Sequence, residues 1–187
     1  MVQAIIFDCF GVLTTDLWKE FVATLSSEEI EPARSLNYQY DAGQLDRIEF
    51  LRAVQALTGR RPEEIETKLD NETNKNIELL SYISDLKPMY KIGLLSNIAS
   101  NWINDTFLTA TEQKLFDVMI FSHEVRLAKP DPEIFELTAE RLGVTPEACV
   151  LIDDSERHCV AAAGLGMKAI LYEDFGQMRG ELENVLA

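Results

Sequence analysis

The chain has 187 residues, 47% of them hydrophobic and 26% charged, with 17 basic against 32 acidic side chains and a formal net charge of −15. This suits one globular domain or a core with a modest insert, large enough to bury about two thirds of its unfolded surface without staples. No stretch approaches the roughly 20 apolar residues that span a bilayer, and the acidic balance repels nucleic acid and anionic lipid, so neither is expected as a partner.

In chain order, Ala4–Phe7 is the first of five short apolar runs. The others are Lys91–Leu95, Val118–Phe121, Cys149–Ile152 and Ala169–Tyr172. Each is unbroken in hydrophobicity and bounded by polar residues or glycine, the pattern of strands buried on both faces. The N-terminal run lacks a basic leader and reads as a buried strand, not as a signal peptide. Cys9, Cys149 and Cys159 are odd in number and lack metal-finger spacing, so they read as reduced thiols of a cytoplasmic chain.

Residues 16–84 break the rhythm. They carry helical periodicity at Leu17, Phe21 and Leu25, then at Phe50, Leu51, Val54 and Leu57, with no convincing strand. Thr58-Gly59 stops one helix and Pro62-Glu63-Glu64 starts the next. Ser26-Ser27-Glu28-Glu29 reads as a helix start, while Trp18, Tyr38, Tyr40 and Arg47 read as packing and solvated face. Further on, Asp131-Pro132-Glu133 opens a helix that Gly143 closes, and Thr145-Pro146-Glu147 repeats the opening for a short turn. The alternation predicts an α/β fold. A Rossmann-like parallel sheet with helices on both faces would be built from residues 1–15 and 85–187. Residues 16–84 would form a small all-helical cap inserted after the first strand. In open sheets of this kind ligands bind beyond the carboxyl ends of the strands, where such an insert would sit as a lid.

The polar residues gather at those ends. Asp8 closes the first run, Ser96-Asn97 follows the second, Lys129 lies in the loop after the third, and Asp153-Asp154 closes the fourth. Three carboxylates at one end of a sheet repel one another unless neutralised. A lysine and a divalent cation would do so, and an oxygen-ligated site with open positions suggests Mg²⁺.

Phe7-Asp8-Cys9-Phe10-Gly11-Val12-Leu13 resembles the first motif of the haloacid dehalogenase superfamily. Leu94-Leu95-Ser96-Asn97 resembles the second and Ala128-Lys129-Pro130-Asp131-Pro132 the third. Val150-Leu151-Ile152-Asp153-Asp154, running on through Ala161–Gly166, resembles the fourth. Ala42–Phe50 is similar to a recurrent segment of the family's small helical cap. The resemblance implies that Asp8 is a nucleophile forming an aspartyl-phosphate, with Lys129 and Ser96 as catalytic partners. It implies Mg²⁺ held by Asp8, the Phe10 backbone carbonyl and Asp154, with Asp153 assisting directly or through water. Ser96, the Asn97 backbone N–H and Lys129 would hold the phosphoryl group of a small phosphorylated substrate, sugar 1-phosphates being the favoured class.

One position departs from that pattern. Family phosphatases carry a second Asp, the general acid, where this chain has Phe10; haloacid dehalogenases carry an aromatic there and need no metal. Two alternatives therefore stand beside the phosphatase: a metal-independent 2-haloacid dehalogenase and a non-catalytic binding protein. The intact pair Asp153-Asp154 favours the metal-dependent reading, because unneutralised carboxylates about 4 Å apart repel by roughly 4 kcal/mol at an intermediate dielectric. His123 and Asp16 are remote candidates for a substitute acid. His158 reads as a partly buried helix residue that could orient the acidic pair.

Overall fold

The structure, a computed structural model, describes residues 1–69 and 74–187. Five strands, β1 (Ala4–Phe7), β2 (Lys91–Ser96), β3 (Val118–Phe121), β4 (Cys149–Asp153) and β5 (Lys168–Leu171), form one parallel sheet in the order β3-β2-β1-β4-β5. The helices are α1 (Leu17–Val22), α2 (Ser27–Asp41), α3 (Arg47–Thr58), α4 (Pro62–Leu69), α5 (Ile77–Leu86), α6 (Ala110–Gln113), α7 (Ser122–Val125), α8 (Pro132–Leu142), α9 (Glu156–Gly164) and α10 (Phe175–Leu186). Ile103–Phe107 forms a π-helical turn and Pro146–Ala148 a 3₁₀ turn.

Alternation along the strands explains why both faces need cover. On β1, Ile5 and Phe7 enter one apolar cluster while Ala4 and Ile6 enter the other; on β4, Val150 and Ile152 part from Cys149 and Leu151 in the same way. The first cluster is closed by α5, through Leu79, Leu80, Ile83 and Leu86, and by α10, through Met178 and Leu182. The second is closed by α8 (Ile134, Phe135, Ala139, Leu142) and by Ala162 of α9.

Helices α1 to α4 build a third, separate cluster around Phe21, Val22, Phe50, Val54 and Ile65. Local signals set their ends. Ser26 and Glu29 form a capping box at α2, Asp46 and Glu49 another at α3, and Gly59 closes α3 with a φ of 66°. Although α5 begins within residues 16–84, its apolar face belongs to the sheet, so the predicted boundary at residue 84 cuts through a core helix.

The strand order places the site. The chain runs outward from β1 to β3, then returns to add β4 on the other side of β1, so the connections diverge between β1 and β4. A crevice opens at such a reversal, beyond the carboxyl ends of the strands.

Candidate active site

Asp8 directly follows the central strand. In register, Phe7 pairs with Leu94 on one side and Ile152 on the other, so the next steps bring Asp8 between the ends of β2 and β4. Its Oδ1 accepts from the Cys9 backbone N–H at 2.6 Å and lies 2.8 Å from Lys129 Nζ. The same ammonium lies 2.6 Å from Asp153 Oδ2. Asp8, Lys129 and Asp153 are 5%, 1% and 0% exposed, so this is a buried array of two acids and one cation. Asn97 fixes the lysine's backbone: its Oδ1 accepts from Lys129 N at 2.8 Å and its Nδ2 donates to Lys129 O at 2.9 Å.

Both oxygens of Asp153 are engaged. Besides Lys129, it accepts from Ser155 N at 2.9 Å and meets His158 Nδ1 at 2.9 Å. An ionised carboxylate only accepts, so Nδ1 carries the proton. His158 thus orients Asp153, a role its sequence position only suggested. One ligand atom each from Asp8, Asp153 and His158 falls within 4.8 Å of the others, but the lysine already bridges the two acids.

The charges divide unevenly. Burial raises the Asp8 carboxyl well above its ordinary range; Asp153 and Asp154 add to this, and Lys129 only partly offsets it. Asp153 goes the other way: burial opposes its charge, but Lys129 and His158 outweigh it and hold the group well below the usual carboxylate range. Lys129 is raised, its own burial outweighed by Asp153 and Asp8. Lys129 thus bridges the two carboxylates, 2.6 Å from Asp153 and 2.8 Å from Asp8.

Asp154 sits on the cleft side, where Lys19 Nζ of α1 contacts its Oδ2 and also donates to its backbone carbonyl at 3.2 Å. Gly11 makes room for it. A Cβ on Gly11 would stand 2.3 Å from Asp154 Oδ2, on a backbone with φ of +80°. Gly11→Ala is therefore expected to displace the carboxylate and to cost about 1–3 kcal/mol of stability, from overpacking and left-handed strain. An unchanged urea midpoint would contradict this close packing.

Ser96 ends β2, fully buried, and its Oγ has no hydrogen-bond partner. Such groups are rare enough to need a reason. Phe10 turns its ring onto Trp102, with centroids 6.0 Å apart. His123 is bonded through Nδ1 to Ile98 O at 2.9 Å and through Nε2 to Asn101 Oδ1 at 3.0 Å.

A cleft of about 910 Å³ lies between this array and α1 to α3. Asp8, Asn97, Lys129 and Asp154 line one side. Trp18, Arg34, Asn37, Tyr38, Tyr40, Asp41 and Arg47 line the other. Trp18, Tyr38, Tyr40 and Arg47 thus line the cleft, while Trp18 and Tyr40 also pack in the helical cluster as their sequence reading expected. Tyr40 does both jobs, stacking on Phe50 at 4.6 Å while lining the cleft. Tyr38 ties α2 to the Lys129 loop through a hydrogen bond to Asp131, which pushes its pKa up to about 12.

Residues 2–166 match the profile of the haloacid dehalogenase-like hydrolases. The chain belongs to this family. A phosphorylated carbohydrates phosphatase of Thermotoga maritima is 47% identical over 58 residues, 31% of this chain and 27% of that protein. The chain spans well under two thirds of the curated relatives it matches.

Among solved structures, a haloacid dehalogenase family enzyme of Bacteroides thetaiotaomicron, in complex with magnesium and inorganic phosphate, has a TM-score of 0.69 at 24% identity. That match covers 95% of this chain and 99% of the other. A 2-haloacid dehalogenase of Pseudomonas syringae has a TM-score of 0.66 at 16% identity, with full coverage of both chains. At these identities the two neighbours establish the shared α/β fold and leave the reaction of this member of the hydrolase family to its own residues. Among the described residues, no helix is long and apolar enough to cross a membrane.

Proposed function

We propose that this chain is a Mg²⁺-dependent phosphatase of small phosphorylated carbohydrates, sugar 1-phosphates among them, working through an aspartyl-phosphate on Asp8. The observation that carries the reading is the division of labour in the acidic pair. Asp153 is spent on Lys129, Ser155 and His158. Asp154 faces the cleft with, among the described residues, only Lys19 on its carboxylate, near enough for its charge to act on Asp8, in a cradle that glycine at position 11 leaves open. A metal-free dehalogenase has no use for that second carboxylate.

The residues fit the ion. Asp8, Asp154 and the Phe10 carbonyl are hard oxygen donors of the kind Mg²⁺ takes, and Asp153 would assist through water and through Lys129. When bound, the ion would offset phosphate charge and draw the raised Asp8 carboxyl back toward its ionised form. The Asp8 carboxylate attacks phosphorus in line, the alcohol leaves, and water cleaves the acyl phosphate. Lys129 balances charge on the transferring group. Ser96 Oγ, buried and unpartnered, is suited to donate to a phosphoryl oxygen together with the Asn97 N–H.

In this reading α1 to α4, within residues 16–84, act as the cap over a core of residues 1–15 and 85–187 that α5 joins. The cap's aromatic and basic side chains suit a polyhydroxylated substrate. The carbohydrate phosphatase relative supports the substrate class. The test compares a sugar 1-phosphate, a sugar 6-phosphate and 2-chloropropionate, each with Mg²⁺ and with chelator. Phosphate release that requires Mg²⁺ is expected. Chloride release under chelator would overturn the reading in favour of a dehalogenase, and Mg²⁺ uptake without any turnover would favour a binding protein.

A further inference from the structure

Expelling an ordinary alcohol from phosphorus calls for a proton on the departing oxygen. The loop after β1 does not supply one, because position 10 is a phenylalanine packed on Trp102 and the sheet's apolar cluster. Across the cleft, Asp41 ends α2. It is 8% exposed and lines the same cleft as Asp8 and Lys129. Its backbone is pinned to the mouth of the sheet: Ser122 Oγ donates to Asp41 O at 2.7 Å, and Ile98 N donates to Ser122 Oγ at 2.9 Å. Its side chain is oriented by Asn37 Nδ2, which donates to Oδ2 at 2.8 Å and leaves Oδ1 to carry a proton. We propose that Asp41 is the general acid–base of the reaction, replacing from the helical insert the carboxyl that position 10 lacks. The proposal rests on the phosphatase reading.

In the first half-reaction an Asp8 oxygen bonds to phosphorus and the ester P–O bond breaks. Its electron pair goes to the leaving oxygen, which takes the Asp41 proton and departs as an alcohol. In the second, a water oxygen bonds to phosphorus and passes its proton to the Asp41 carboxylate. The Asp8–phosphorus bond then breaks, returning the Asp8 carboxylate and inorganic phosphate. Asp41 ends protonated, as it began.

The surroundings suit both roles. Burial, then the charge of Asp16, raise the Asp41 pKa to about 8, against the opposing influence of Asn37 and Lys129, so the group holds its proton at neutral pH and releases it readily. Asp16, Lys129 and Tyr40 are the titratable groups coupled to it. Asp16 lines the cleft too, but its Oδ1 caps α1 by accepting from Lys19 N at 2.8 Å, which makes it the neighbouring charge and not the donor. His123 is bonded away from this cleft. An acid at Asp41 also frees the chain from dependence on activated leaving groups.

The test measures the full chain with Mg²⁺ on glycerol 3-phosphate, a poor leaving group, and on p-nitrophenyl phosphate, a good one, across neutral and alkaline pH. Asp41→Asn keeps the side chain's shape and its Asn37 acceptor. It is expected to lower turnover of the glycerol ester by about 10²–10⁴-fold, with a loss about tenfold or more smaller on the nitrophenyl ester. The wild-type rate on the glycerol ester should fall above about pH 8, and that fall should vanish in the variant. Adding Phe10→Asp to Asp41→Asn should restore much of the glycerol ester activity. Equal losses on both esters, or an alkaline fall that survives in Asp41→Asn, would overturn this inference alone. A wild-type chain that turns over neither ester would overturn the phosphatase reading, and this inference with it.

Discussion

Asp8→Asn is expected to abolish turnover, by at least about 10⁴-fold in kcat, while making the protein more stable at neutral pH. The first half follows from chemistry: an amide forms no acyl phosphate, and no other carboxylate in the array is free to replace it, since Asp153 is held at both oxygens. The second follows from linkage. Asp8 has a folded pKa above its unfolded value, so its ionisation works against folding once the pH exceeds the unfolded pKa near 4. Asparagine keeps the acceptor for Cys9 N and removes a charge that faces Asp153 and Asp154. Phosphate release and thermal unfolding at neutral pH read the two effects separately. A variant that is inactive and also less stable would mark Asp8 as a structural partner of Lys129 and not as a destabilised nucleophile.

The sheet was legible because burial on both faces leaves an unmistakable trace, an unbroken apolar run such as Ile5-Ile6-Phe7 or Val150-Leu151-Ile152, whose ends match the observed strands to within a residue or two. The polar ends of those runs were legible for the same reason: a carboxylate directly after a buried strand has nowhere to go but the mouth of the sheet. The C-terminal helix α10 left a weaker trace, since Gly176 and Gly180 interrupt a pattern whose buried members are Met178 and Leu182.

The roof of the cleft was hidden for a different reason. Whether Tyr40 or Asp41 faces solvent depends on where α2 ends against Ser122, a contact 81 residues away in sequence. Helical periodicity fixes neighbours on one face but not what that face meets. The same limit applies to Asp153 and Asp154. The sequence shows two adjacent acids, while the strand's alternation sends the first inward to Lys129 and the second out toward Gly11.

Lys129→Met should be the most destabilising single change near the site, by about 3–5 kcal/mol at neutral pH, because it leaves Asp153 and Asp8 buried with their shared cation gone. The dependence on pH separates charge from packing. In the wild type Asp153 has a depressed folded pKa, so its contribution is present above the unfolded pKa near 4 and lost as the pH falls through the folded value. In the variant, burial without a cation lifts both acids above their unfolded values, so each is tolerated when protonated and opposes folding as the pH rises. The gap between the two proteins should therefore be widest at neutral pH and narrow steadily toward pH 4, measured by urea unfolding across that range. Methionine keeps most of the lysine stem's apolar contact, so lost packing would instead give a gap that does not change with pH. Adding Asp153→Asn to Lys129→Met should recover part of the loss, since it removes the carboxylate most dependent on the ammonium. If that double variant were no more stable than Lys129→Met alone, the uncompensated charge on Asp153 would not be the source of the loss, since methionine keeps the backbone bonds of residue 129 to Asn97.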